Sequence, residues 1–169
     1  MIVRSAIAAD AESILDIRVA AWRAAYQGFM PAEYLASLDA LQGLDGLVKA
    51  IQSPEPLFHL KVAESKGAVL GFVIVGAPRY DARPQTLELR ALNIRPDQWR
   101  QGAARLLLQA ALEDTRAKRY ARLELWCLAG NIPATALYES NGFVRTGESR
   151  TTSVLTGHPL HEVAYANAP

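Results

Sequence analysis

The stretch from Thr86 to Leu128 restricts the fold more than any other part of the chain. Residues Thr86 to Ile94 alternate toward the apolar and read as a strand, and Pro96 turns the chain. From Gln101 to Arg119 the residues Ala104, Leu107, Leu108, Ala111 and Leu112 fall on one stripe at helical spacing. Arg122 to Leu128 is again a strand. A strand, a covering helix and a second strand imply a parallel pair with a right-handed crossover. Gly102 stands where that helix begins, between Arg100 and Arg105. A helix start gathers unpaired amides and partial positive charge, and a glycine there lets a phosphate come close to the backbone. One glycine beside two arginines also fits an ordinary helix start, so the nature of the anion has to come from elsewhere.

The flanking segments supply the rest of a mixed α/β domain. Strands are expected at 2–6, 58–64, 69–77, 143–154 and 160–166, and helices at 11–26, 32–38, 44–52 and 131–141. Asp10 is placed to cap the first helix, whose apolar side carries Ile14, Leu15, Ile17, Val19, Trp22 and Tyr26. Lys66-Gly67 reads as a hairpin turn. Gly142 is expected to end the 131–141 helix in a left-handed conformation.

At 169 residues, half of them hydrophobic, the chain is long enough for one domain with a substantial core. Its 18 basic and 17 acidic residues give a formal net charge of +1, which offers no support for nucleic acid as a partner. The lone Cys127 excludes an intrachain disulfide and a multi-cysteine metal site, and a reducing cytoplasm is the natural setting. His59, His158 and His161 have no metal-ligand spacing. No segment has the length or hydropathy of a signal peptide or a bilayer span, so no membrane association is expected.

Two segments carry a resemblance to a known family. ELRALNIRPDQWRQGAARLLLQAAL and NIPATALYESNGF resemble, in sequence and in separation, the central strand, pyrophosphate loop and catalytic segment of the GNAT superfamily of N-acetyltransferases. The likeness extends over nearly the whole chain. The family loop commonly reads Gln/Arg-x-x-Gly-x-Gly/Ala; here Gly102 and Ala104 match, and Trp99 stands at the first position. The resemblance implies a central, mostly antiparallel, splayed sheet with one parallel strand pair, flanked by helices, forming a single domain over 1–169.

It also implies acetyl-CoA as acetyl donor. The backbone of Arg100, Gln101, Gly102, Ala103, Ala104 and Arg105 would hold the pyrophosphate, with Leu92, Asn93 and Ile94 beside the pantetheine. Asn131 would reach the cofactor, although its position equally suits a helix cap. Tyr138 corresponds to the residue that protonates the departing thiolate. A primary amine must lose a proton before it attacks, and Glu88 is the first candidate base, directly or through water, with Glu124 second. Either glutamate also reads as a strand residue facing solvent or paired with Arg90 or Arg122. Trp22, Tyr26, Phe29 and Met30 would border the acceptor, and Cys127 reads as inert core. The expected activity is transfer from acetyl-CoA to an amine of a small molecule or peptide in a ternary complex. A CoA-binding module without catalysis and a protein N-acetyltransferase are the alternatives. A homodimer is a family-level expectation.

Overall fold

A computed structural model describes residues 1–168. Its centre is a seven-stranded sheet with strands in the order β1-β2-β3-β4-β5-β7-β6. In chain order these are β1 (Ile2–Ser5), β2 (His59–Ser65), β3 (Ala68–Gly76), β4 (Thr86–Ile94), β5 (Arg122–Leu128), β6 (Val144–Thr152) and β7 (Leu160–Asn167). All neighbours run antiparallel except β4 and β5, which are parallel. The helices are α1 (Ala11–Ala25), α2 (Ala32–Ser37), α3 (Leu44–Gln52), α4 (Ala103–Ala117) and α5 (Ile132–Ser140). The mixed sheet with a single parallel pair matches the expected fold class.

The two faces of the sheet are covered separately. Leu107 and Leu108 of α4 are fully buried against Leu87 and Leu89 of β4 and Leu123 and Leu125 of β5. Burying each of these leucines is worth about 1.5–3 kcal/mol relative to exposure. One helix therefore holds both parallel strands. On the opposite face Ile14 and Ile17 of α1 pack on Leu60, Val62 and Phe72. A smaller cluster joins Met30 and Leu35 to Leu128 and Leu160, with Trp22 and Tyr26 packed against it.

Local chemistry sets most boundaries. Lys66 and Gly67 both have positive φ (51° and 77°) in the β2–β3 hairpin, as a tight turn with matching twist demands. Gly142 follows α5 with φ 81°, the left-handed stop expected there. Two expectations need correction. The helix expected from Gln101 begins at Ala103, because Arg100 and Gly102 take φ of 62° and 89°. Asp10 does not cap α1 through its side chain. Its carboxylate accepts from the Ile7 amide at 2.8 Å and from Arg4 Nη1 and Nη2 at 2.7 and 2.9 Å. The guanidinium supplied by β1 competes successfully for the oxygens that a helix cap would use.

Candidate active site

The parallel pairing of β4 with β5 covers only Thr86–Glu88 against Arg122–Glu124. Beyond that rung the strands separate, and β5 continues its pairing with β7 alone. The register of β3 against β4 jumps between Ile74↔Ala91 and Val75↔Leu89, leaving Arg90 as an unpaired bulge residue. A bulge bends its strand and increases its local twist, which suits divergence from β5. Leu92, Asn93 and Ile94 lie on the freed arm of β4. Leu92 is half-buried, and Asn93 and Ile94 are buried.

At the far end of this arm lies the expected anion cradle. A short 3-10 turn at Pro96–Gln98 leads through Trp99 to Gly102, the N-cap of α4. The amides of the six residues from Arg100 to Arg105 find no backbone acceptor among the described residues. They are the orphan donors of a helix start, extended backwards by two left-handed residues. A Cβ built on Gly102 would meet nothing within 4 Å, so the space beside that residue is open. Arg100, Gln101 and Arg105 are exposed, Ala103 is buried and Ala104 half-buried. Trp99 has a local structural task. Its indole Nε1 donates to the Ile94 carbonyl at 2.9 Å, which ties the loop to the end of β4. The chemistry of this donor set, a row of amides with flanking guanidinium groups, fits a pyrophosphate.

Asn131 and Tyr138 bracket the β5 side. Asn131 Oδ1 accepts from the Ala134 amide at 3.3 Å, so the residue does cap α5. Tyr138 is buried on α5, its ring 5.8 Å from that of Phe143 and 6.3 Å from that of Tyr165. Burial, with smaller effects from Cys127 and Tyr26, pushes its phenol well above the ordinary range. The group therefore stays protonated at neutral pH. Burial likewise raises the Cys127 thiol to about 11, which leaves it a neutral, poor nucleophile.

Glu88 and Glu124 face each other across the last rung of the parallel pair. Neither is a free carboxylate. Glu88 Oε2 accepts from the Arg79 amide at 3.1 Å and from Arg79 Nε at 3.0 Å, and Oε1 accepts from Arg79 Nη2 at 2.8 Å. Arg90 approaches within 3.8 Å. Glu124 pairs with Arg122 at 3.1 Å and accepts from the Tyr80 hydroxyl at 3.1 Å. Arg90 and Arg122 are the partners expected from the sequence; Arg79 and Tyr80 are not. Both belong to the β3–β4 connection, which reads in sequence only as a charged, proline-containing loop. No local spacing signals that it folds back over the rung.

Other residues singled out from the sequence lie as follows. Tyr26 is half-buried in the cluster beside Leu128, with its phenol raised to about 12 by burial and then by Cys127 and Glu162. Trp22 contacts it edge-on at 5.5 Å. Met30 is buried, and Phe29 is exposed with its ring against Gly130. His158 and His161 are exposed, whereas His59 is half-buried on β2. Among the described residues no group of three or more His, Cys, Asp or Glu is placed to hold a metal. No helix among the described residues is long and apolar enough to cross a membrane.

The family model for the acetyltransferase (GNAT) family matches residues 12–143. A Bacillus subtilis protein described as the uncharacterized N-acetyltransferase YuaI is 28% identical over 146 residues, 86% of this chain and 82% of that protein. The fold aligns with the PaiA N-acetyltransferase of Thermoplasma acidophilum in complex with coenzyme A, at a TM-score of 0.77 and 18% identity. That alignment covers 99% of this chain and 98% of the other. It also aligns with YncA of Salmonella typhimurium, solved with its cofactor acetyl-CoA, at a TM-score of 0.74 and 20% identity, covering 99% and 93%. The matched segment runs from α1 through the amide row and the forked strands to Phe143: the chain belongs to the acetyltransferase (GNAT) family.

Proposed function

We propose that this acetyltransferase, as a single domain over 1–169, moves the acetyl group of acetyl-CoA to a primary amine of a small molecule or peptide by direct attack. The observation that carries the reading is the continuity of the site. A row of unpaired amides at Arg100–Arg105 leads along the freed edge of β4 to a fork closed by Glu88 and Glu124, with the buried, protonated Tyr138 on the neighbouring helix.

Acetyl-CoA supplies an activated thioester carbonyl; the residues of the chain position it and manage protons. The amides from Arg100 to Arg105, helped by the side chains of Arg100 and Arg105, hold the pyrophosphate. Leu92, Asn93 and Ile94 offer the unpaired strand edge to the pantetheine, and a free amide on that arm is suited to polarise a carbonyl. Asn131 caps α5 through Oδ1, which leaves its Nδ2 to donate to the cofactor. Tyr138 gives its proton to the leaving sulfur. Glu88 takes the proton of the incoming ammonium through a water, because its own oxygens are covered by Arg79. The neutral, buried Cys127 speaks for attack by the amine itself and suits a cytoplasmic setting.

The test is a screen of the purified protein across diverse amines, following CoA release against a no-acceptor control. Turnover that falls in Tyr138→Phe while acetyl-CoA binding persists supports the assignment. Acetyl-CoA binding without turnover of any amine would identify a CoA-binding module instead.

A further inference from the structure

Two ion pairs beside the fork present the same end to solvent. Glu88 is 3% exposed in its side chain and its partner Arg79 60%. Glu162 on β7 is 18% exposed and its partner Arg150 on β6 39%, with Arg150 Nε donating to Glu162 Oε2 at 2.6 Å. In both pairs the carboxylate is the buried member and the guanidinium the accessible one. A ligand approaching the fork therefore meets two cations first. The carboxylates behind them are already hydrogen-bonded and are poorly placed to grip an ammonium group.

The two guanidinium groups belong to one neighbourhood. Arg150 stacks over the Trp126 ring with its Cζ 4.2 Å from the centroid and lies 5.9 Å from that of Tyr80, the residue after Arg79. Trp126 and Tyr80 meet edge to face at 5.8 Å. Glu88 chiefly, and Glu162 to a lesser degree, keep the Arg79 guanidinium charged. Each arginine also has unused donors. Arg79 commits Nε and Nη2 to Glu88, and Nη1 makes no hydrogen bond among the described residues. Arg150 commits Nε to Glu162, and Nη1 and Nη2 make no hydrogen bond among the described residues. Aromatic stacking and the ion pair fix the Arg150 plane, so its outward edge is held ready for a planar, two-oxygen anion.

We propose that the acceptor carries a carboxylate close to its amine, and that the outward edges of Arg79 and Arg150 bind that carboxylate. The inference rests on the reading of the protein as an amine acetyltransferase. It narrows the acceptor to amino acids and related amino-carboxylates. Arg79 grips Glu88 with its inner edge, so a carboxylate on its outer side sits one guanidinium width from the residue assigned to the amine's proton. That spacing suits a small molecule bearing both groups. Arg150 is a specificity residue in this scheme.

The experiment compares glycine, methionine, phenylalanine and glutamate, each beside its α-amide, using the full chain with acetyl-CoA and following CoA release. The amides carry more free amine at neutral pH, so a preference for the acids runs against intrinsic reactivity. The expected result is a preference of about tenfold or more in kcat/KM for at least one acid over its amide, the range of a charge-assisted hydrogen bond. Arg150→Gln should bring that ratio toward unity through KM. Arg150→Lys, which keeps the charge without the planar fork, should restore part of it. Equal or faster turnover of the amides overturns the proposal, as does an acid preference that survives Arg150→Gln in a folded variant. Acetylation of other amines without any of the acids removes this inference and leaves the parent reading standing. Failure with every amine, despite acetyl-CoA binding, removes both.

Discussion

In the proposed mechanism Tyr138 has the clearest single-residue role. It lies on α5, buried between Phe143 and Tyr165, with its phenol raised by that burial. A raised phenol stays protonated further into the alkaline range, so its ability to donate is lost only above the ordinary value of about 10. Tyr138→Phe should lower kcat by about 100-fold, the lower end of what a placed general acid contributes, and leave the dissociation constant of acetyl-CoA unchanged. Steady-state kinetics beside an equilibrium titration checks both halves. In the unaltered protein kcat should show no loss attributable to Tyr138 between pH 7 and about 10. Tyr138 was legible in the sequence because its neighbours in ALYESNGF carry the family pattern. Arg79, Tyr80, Arg150 and Glu162 were not. Their partners lie 9, 44 and 12 residues away, across a bulge, a fork and a hairpin, and no periodicity relates such positions.

At the scale of elements, the sequence placed every strand and every helix of four or more residues, because each is bounded by turn chemistry that acts locally. What it misjudged was competition between nearby donors. Asp10 looks like a cap, yet Arg4 brings a guanidinium within 2.7 Å and Ile7 its amide within 2.8 Å. This knot ties β1 to the start of α1. The Arg4 hydrogen bond is the largest influence, opposed by burial and aided by the Ile7 amide, and it lowers the Asp10 carboxyl. A lowered folded-state value means the stabilisation is complete above the ordinary carboxylate range of about 4 and fades as pH falls through the folded value. Asp10→Ala should therefore cost about 1–3 kcal/mol at pH 7, with a smaller difference from the unaltered protein well below the ordinary carboxylate value of about 4. Urea titrations at the two pH values measure it. The start of α4 allows a similar argument. Gly102 has φ 89° and nothing within 4 Å of an added Cβ. Gly102→Ala should cost about 1–2 kcal/mol of backbone strain with no clash inside the protein. Any further loss of CoA affinity would then report a ligand in that space.

For the whole molecule the fork is a structural weakness as well as a site. Past the Glu88–Glu124 rung, β4 and β5 no longer bond to each other, and the two halves of the sheet are joined there mainly through the side chains of α4. Leu107 and Leu108 bridge the gap from below, but the unpaired strand edges and the amide row at Arg100–Arg105 stay open. A ligand filling the fork and the cradle together supplies the missing partners to both halves. It binds the folded chain and has no comparable site in the unfolded one. At a CoA concentration about 100 times its dissociation constant, mass action stabilises the fold by about 2.7 kcal/mol. For a chain of this size that corresponds to a rise in Tm of about 5–10 °C. Adenosine alone, lacking the pyrophosphate and the pantetheine arm, should raise Tm by much less. Differential scanning calorimetry of the unaltered protein and of Gly102→Ala, each with and without CoA, separates the contributions. Gly102→Ala should lower the ligand-free Tm slightly and the CoA-induced rise strongly. A full CoA-induced rise in that variant would place the pyrophosphate away from the start of α4.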